Sequence, residues 1–230
     1  MAIKPLVALL ASLALVGGCA ELDALTSTTP EHARTAGAEN LEPGADETYI
    51  NYDAPAGYAD YRNVYIAPAN LANMQVIQPE GGSSDSEWWV TDSESGILQR
   101  AIATQFAAAL GFGSAFYLVD SREQAQIIVN TAVVAVHPNE TRATVAAGGK
   151  TGGAITVSIA VTDATSGKVL VRSVDTGSSD NIWAFNQVEN DDPEIDRILR
   201  GWGDSIRRGL LQLQGRPDAG SPGQSLTVAP

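Results

Sequence analysis

Residues 144–153 read TVAAGGKTGG, and Gly149-Lys150-Thr151 is how a phosphate-binding loop ends. That loop needs a glycine five residues before its second one, where this chain has Thr144. It also needs a helix directly after it, because a helix N-terminus and successive backbone N–H groups hold the phosphates. The residues after Thr151 alternate as a strand does, so no nucleotide site is expected. Only two histidines occur, His32 and His137. A zinc site takes three or four ligands, so no metal or other cofactor is expected. A Ser-His-Asp set would have to use His137, which lies beside Pro138, and no G-x-S-x-G elbow accompanies it. His137 therefore reads as a solvated loop residue. Glu189, Asp191 and Asp192 could mimic a carboxylate dyad or a calcium site. They directly precede a helix, where negative charge favours the positive end of the dipole. Trp88-Trp89 is a different kind of candidate. Adjacent residues of an extended segment face opposite ways, so one of the pair is expected at the surface, as an aromatic anchor for a partner. Trp183 and Phe185 read as core residues.

The remaining reactive side chain is Cys19, the single cysteine in 230 residues. Lys4 and the apolar run PLVALLASLALVGG precede it. The run is too short to span a bilayer comfortably and has the form of an export signal. Its end, LVGGC, resembles the lipobox of bacterial lipoproteins. The resemblance implies cleavage before Cys19 and diacylglycerol on its thiol, so that acyl chains anchor the protein to a membrane. An exported cysteine with no disulfide partner fits that role. Ala20, where an inner-membrane lipoprotein of enterobacteria would carry Asp, implies the outer membrane and its periplasmic face. With 27 Asp and Glu against 14 Lys and Arg, the net charge is −13, which disfavours a nucleic-acid partner.

The elements that would position these residues lie between two polar stretches. Residues 1–18 read as the signal peptide, 19–48 as a flexible tether and 215–230 as a disordered Gly/Pro/Ser tail, with one domain over 49–214. Such a tether of about thirty residues reaches roughly 30 Å by random-coil scaling. Within the domain, NVYIAPANL predicts a strand ending at Pro68. A polar loop carrying Met74, Val76, Ile77 and the tryptophan pair follows. Leu98, Ile102, Phe106 and Leu110 mark a helix, with Asp92 or Ser93 as its N-cap and Gly111 as its stop. Residues 115–120 and 125–138 predict strands, with a turn or one helical turn between them. A glycine-rich connection leads to 154–163, where Ile155, Val157, Ile159 and Val161 alternate with small and polar residues. Asp163 and Gly167 predict a hairpin turn into a last strand. Asp192 and Pro193 then open a helix with the stripe Ile195, Leu199, Trp202, Ile206, Leu210 and Leu213. Gly201 and Gly203 would let its backbone approach the sheet. The order β-α-β-β-β-β-α predicts an α+β fold. In it, a mainly antiparallel sheet of about five strands meets two helices on one face, the Ile/Val side of 155–161.

The lipobox, YRNVYIAP, FAAALG, ITVSIAVTDATSGKVLVRSVD and GWGDSIRRGLLQL together resemble a family of Gram-negative lipoproteins, the one catalogued as domain of unknown function 3313. Tyr61, Val64, Pro68, Asp163, Thr165 and Gly167 fit its pattern, with Ser166 standing between Thr165 and Gly167. The resemblance implies no activity and no catalytic residue. The expectation is therefore a lipid-anchored periplasmic binding or assembly protein of the cell envelope, not an enzyme. Its partners would be the membrane, through Cys19, and another envelope protein, through Trp88 or Trp89. The alternatives are a hydrolase acting on cell-wall material and a ring-forming envelope or secretion component. The ring-former would use the small-residue face of 154–162 or a sheet edge.

Overall fold

Ile155, Val157, Ile159 and Val161 are all fully buried, and the alternating Ala, Thr and Ser positions between them are half-buried. This strand is the centre of the domain. A computed structural model of the chain describes residues 47–50, 55–79, 87–147, 149–184 and 193–218. These all belong to the unit Leu41–Pro230. The strands are β1 (Glu47–Ile50), β2 (Asn63–Ile66), β3 (Gln75–Val76), β4 (Tyr117–Leu118), β5 (Ile127–Pro138), β6 (Gly153–Asp163) and β7 (Val169–Ser179). The helices are α1 (Asp92–Leu110), α2 (Arg142–Ala146) and α3 (Pro193–Leu213).

The strand order is β1-β7-β6-β5-β2-β4, with β3 paired on β5. The pairs β1–β7, β7–β6 and β6–β5 are antiparallel. The pairs β5–β2, β2–β4 and β3–β5 are parallel. The sheet is therefore mixed, where a mainly antiparallel one was expected. Two things explain the difference. A helical connection such as α1 carries the chain back to the end where β2 began, so β4 runs parallel to β2. Alternation along a strand says which face each residue takes, and nothing about the direction of the neighbour. The sheet also has seven strands against an expected five. β1 and β3 have four and two residues, too few for a period to register. The third helix, α2, lies in the connection read as merely glycine-rich, and Thr141 caps it by accepting the Thr144 N–H.

The long helices form as their stripes require. Leu98, Ile102, Phe106 and Leu110 of α1, and Ile195, Leu199, Ile206 and Leu210 of α3, are buried in the core with Trp202. The α1 cap is Thr91 and not Asp92 or Ser93. Thr91 and Glu94 form a capping box in which each side chain accepts the other's backbone N–H. Gly203 does not face the sheet as expected. A Cβ there would lie 2.9 Å from Ala109 Cβ and 3.1 Å from Phe106 Cα, so the glycine lets α3 touch α1. Gly201 has open space around it. The approach of α3 to the sheet is made instead at Gly177 of β7, where a Cβ would stand 2.2 Å from Ile198 Cγ2. The β6–β7 turn is built as read. Asp163 Oδ1 accepts the Ser166 N–H at 2.6 Å, and Gly167 has φ 70°.

After α3 the chain turns back onto the domain. Fully buried Arg207 donates from Nη2 to Asp204 Oδ1 and from Nη1 to Asp218 Oδ1, both at 2.7 Å. A desolvated guanidinium is tolerated only when its donors are met in this way.

Candidate functional site

Among the described residues, the groups that could do chemistry are not drawn together. Lys150-Thr151 leads into β6, and Thr151 is buried, its hydroxyl accepting the Glu140 N–H at 3.0 Å. His137 is exposed near the end of β5. Cys19, His32, Phe185, Glu189, Asp191 and Asp192 lie outside the described residues. Among the described residues no three His, Cys, Asp or Glu side chains are grouped to hold a metal ion. No described helix is long and apolar enough to cross a membrane.

What the fold does assemble is an aromatic cluster around one arginine. Trp88 and Trp89 stand just before the α1 cap, and they take opposite environments. Trp88 is 3% exposed and Trp89 is 56% exposed. Trp88 is fixed from several sides. Its N–H donates to Gln78 Oε1 at 2.7 Å, and its carbonyl accepts from Gln78 Nε2 at 3.0 Å. Its indole N–H donates to the Glu140 carbonyl at 2.6 Å. Trp183, which follows β7 and is buried as expected, lies against it with ring centroids 4.8 Å apart.

The guanidinium of Arg142 sits among all three rings. Its Cζ is 5.1 Å from the Trp88 centroid, 5.6 Å from that of Trp89 and 5.7 Å from that of Trp183. These are cation–π distances, and the quadrupole of each ring face attracts the charge. Arg142 Nη2 also donates to Glu94 Oε1 at 2.7 Å, and the Trp183 indole N–H reaches the same oxygen at 3.0 Å. The other carboxylate oxygen accepts from the Thr91 backbone and hydroxyl, both at 2.9 Å. Burial alone would push the Glu94 carboxyl up. The bonds from Thr91, Arg142 and Trp183 outweigh it and hold the group below its ordinary value. Glu94 thus closes the α1 cap and neutralises the cation under the tryptophans. Arg142 Nη1 is buried with no hydrogen-bond partner.

Of this set, the sequence pointed to the tryptophans alone. The Thr91-x-x-Glu94 capping pattern could have drawn attention to Glu94. No local signal marks Arg142, which is 48 residues from Glu94 in the chain. The result is a buried, hydrogen-bonded cluster of two indoles and an ion pair, with one aromatic side chain exposed beside it. The one hydroxyl–carboxylate pair in it, Thr91 with Glu94, is occupied by the helix cap.

The sequence matches the family described as "Protein of unknown function (DUF3313)" over residues 34–205. The chain belongs to this family. The DUF3313 match runs from before β1 into α3 and includes every residue of the tryptophan–arginine cluster. No curated protein matches the sequence. Among solved structures, hypothetical protein CT253 from Chlamydia trachomatis is similar at 12% identity and a TM-score of 0.41, covering 66% of this chain and 99% of its own. The PelC dodecamer from Paraburkholderia phytofirmans gives 14% identity and a TM-score of 0.36, over 72% of this chain and 98% of its own. Lipoprotein GNA1162 from Neisseria meningitidis gives 6% and 0.36, over 64% and 99%.

Proposed function

We propose that this protein is a non-catalytic binding or assembly lipoprotein, anchored through Cys19 to the periplasmic face of the outer membrane and contacting another envelope protein through Trp89. The observation that carries the reading is the state of Trp89. A large aromatic side chain is held at the surface on a floor already ordered by Arg142, Trp88 and Glu94. Such pre-ordering lowers the entropy lost on binding, and tryptophan is enriched among residues that dominate interface energies. The LVGGC sequence supplies the anchor.

Two measurements test the two halves. Wild-type protein is expected to take up radiolabelled palmitate and to fractionate with outer membranes, and Cys19→Ser to do neither. An unlabelled or freely soluble wild type would refute the anchor. A photo-crosslinking amino acid at position 89 is expected to trap a discrete partner in intact envelopes. The adduct should disappear when Arg142 is also replaced by Gln. Absence of any adduct at 89 would refute the docking role.

A further inference from the structure

A second surface, unrelated to Trp89, lies at the free edge of the sheet. β4 ends the strand order, and its Tyr117 and Leu118 are 61% and 42% exposed. The Tyr117 N–H donates to the Arg62 carbonyl at 2.9 Å, and the Val119 N–H to that of Val64 at 3.0 Å. Successive residues of a strand turn their backbone groups to opposite sides, so Leu118 turns its N–H and C=O to the open edge.

Two guanidinium groups stand beside this edge. Arg62 Nη1 donates to the carbonyls of Ala59 and Tyr61, both at 2.8 Å. Arg216 Nη1 donates to the Ala115 carbonyl and to Gln214 Oε1, both at 2.9 Å. Its Cζ lies 5.6 Å from the centroid of Phe116. The remaining nitrogens of both groups have no protein partner among the described residues. Gln214 links the two: its Nε2 donates at 2.8 Å to the Tyr61 carbonyl that Arg62 also bonds, while its Oε1 accepts from Arg216. Burial, and then the positive charge of Arg62, pull the Arg216 guanidinium below its usual value. Neither is ion-paired among the described residues: Asp60, two residues before Arg62, pairs with neither, and Asp218, two residues after Arg216, has its Oδ1 on Arg207. Two neighbouring cations with no ion pair among the described residues stand out in a chain with 27 acidic residues and 14 basic ones. An approaching anion would relieve their repulsion and satisfy their open donors together.

We infer that the β4 edge is a docking strand for an extended acidic polypeptide segment. The segment pairs its backbone with Leu118, lays apolar side chains on Tyr117 and Leu118, and places a carboxylate on Arg62 and Arg216. The open backbone groups at Leu118 match a strand and have no use on a lipid surface.

The test uses the full chain in detergent and a fluorescein-labelled peptide, Glu-Val-Thr-Val-Glu-Val-Thr, followed by fluorescence anisotropy at low salt. Saturable binding that weakens with salt is expected. A loss of about tenfold is expected when the peptide's Glu residues become Gln, and again in the variant Arg62→Gln/Arg216→Gln. Leu118→Pro removes the outward N–H together with the Leu side chain and leaves the bonds of Tyr117 and Val119 to β2, so it should also cost about tenfold without unfolding the domain, and more than Leu118→Ala, which removes the side chain alone. No binding, equal binding of the Gln peptide, or unaltered binding by Leu118→Pro overturns the proposal. Binding to phosphatidylglycerol vesicles that vanishes in the double arginine variant, with no peptide binding, overturns it in favour of a membrane contact.

Discussion

Replacing Arg142 by Gln should destabilise the domain by about 3 kcal/mol. The figure follows from what the guanidinium touches. Its bond to Glu94 is charge-assisted and mostly buried, and such bonds contribute about 2 kcal/mol. Three ring faces within 5.7 Å of Cζ add roughly 2 kcal/mol between them beyond what a glutamine stem retains. Against this, the substitution removes the buried, unpartnered Nη1, which offsets about 1 kcal/mol. In a domain of this size each kcal/mol lowers Tm by about 2–4 °C, so the variant should melt about 6–12 °C early. Urea unfolding followed by tryptophan emission suits the measurement, because Trp88 and Trp183 report on the site itself. Arg142→Lys keeps the charge and loses the planar fork, and should cost about half as much. A double-mutant cycle with Glu94→Gln should give a coupling of about 2 kcal/mol. If Arg142→Gln costs under about 0.5 kcal/mol and the coupling is nil, the guanidinium does not organise the cluster.

Trp89→Ala should leave stability within about 1 kcal/mol, whereas Trp88→Ala should cost roughly 3–5; equal effects in urea unfolding would show that the pair does not divide between surface and core. Acid should loosen the cluster in a defined direction. The Glu94 carboxyl is held below its ordinary value near 4.5, so its contribution is complete above that pH and is lost as pH falls through its lower folded-state value. A pH titration of unfolding should show this loss in wild type and not in Glu94→Gln, and identical profiles would contradict it. Gly177→Ala should cost about 1–3 kcal/mol, because the new methyl meets Ile198 Cγ2 at the β7–α3 contact. Ile198→Ala should be less damaging in that background than alone, and strict additivity by thermal denaturation would count against the clash.

How much of this was legible in the sequence depends on how far apart the deciding residues are. β6 and the stripes of α1 and α3 could be read because burial acts on each residue through its own period, two in a strand and 3.6 in a helix. The direction of β2 relative to β5 could not, since the same alternation serves both kinds of pairing. Nor could Gly177, which looks like the end of a strand until α3 is placed across it. The tryptophan pair shows the limit most clearly. Adjacent residues of an extended segment must face opposite ways, so one exposed ring followed from Trp88-Trp89 alone. Which ring it would be did not. That choice is made by Gln78 bracketing the Trp88 backbone and by the carbonyl of Glu140, 52 residues away, accepting its indole N–H. The pairing of β3 and β6 with β5 brings Gln78 and Glu140 to Trp88, and Arg142 to Glu94 in the α1 capping box. The capping box then links the two scales. Thr91 and Glu94 form a local signal that starts a helix, and the same carboxylate holds Arg142 and Trp183 from distant parts of the chain. A helix start that also serves as a counterion fixes where the exposed Trp89 stands. A shift of α1 by even one residue would break the cap and the cluster together.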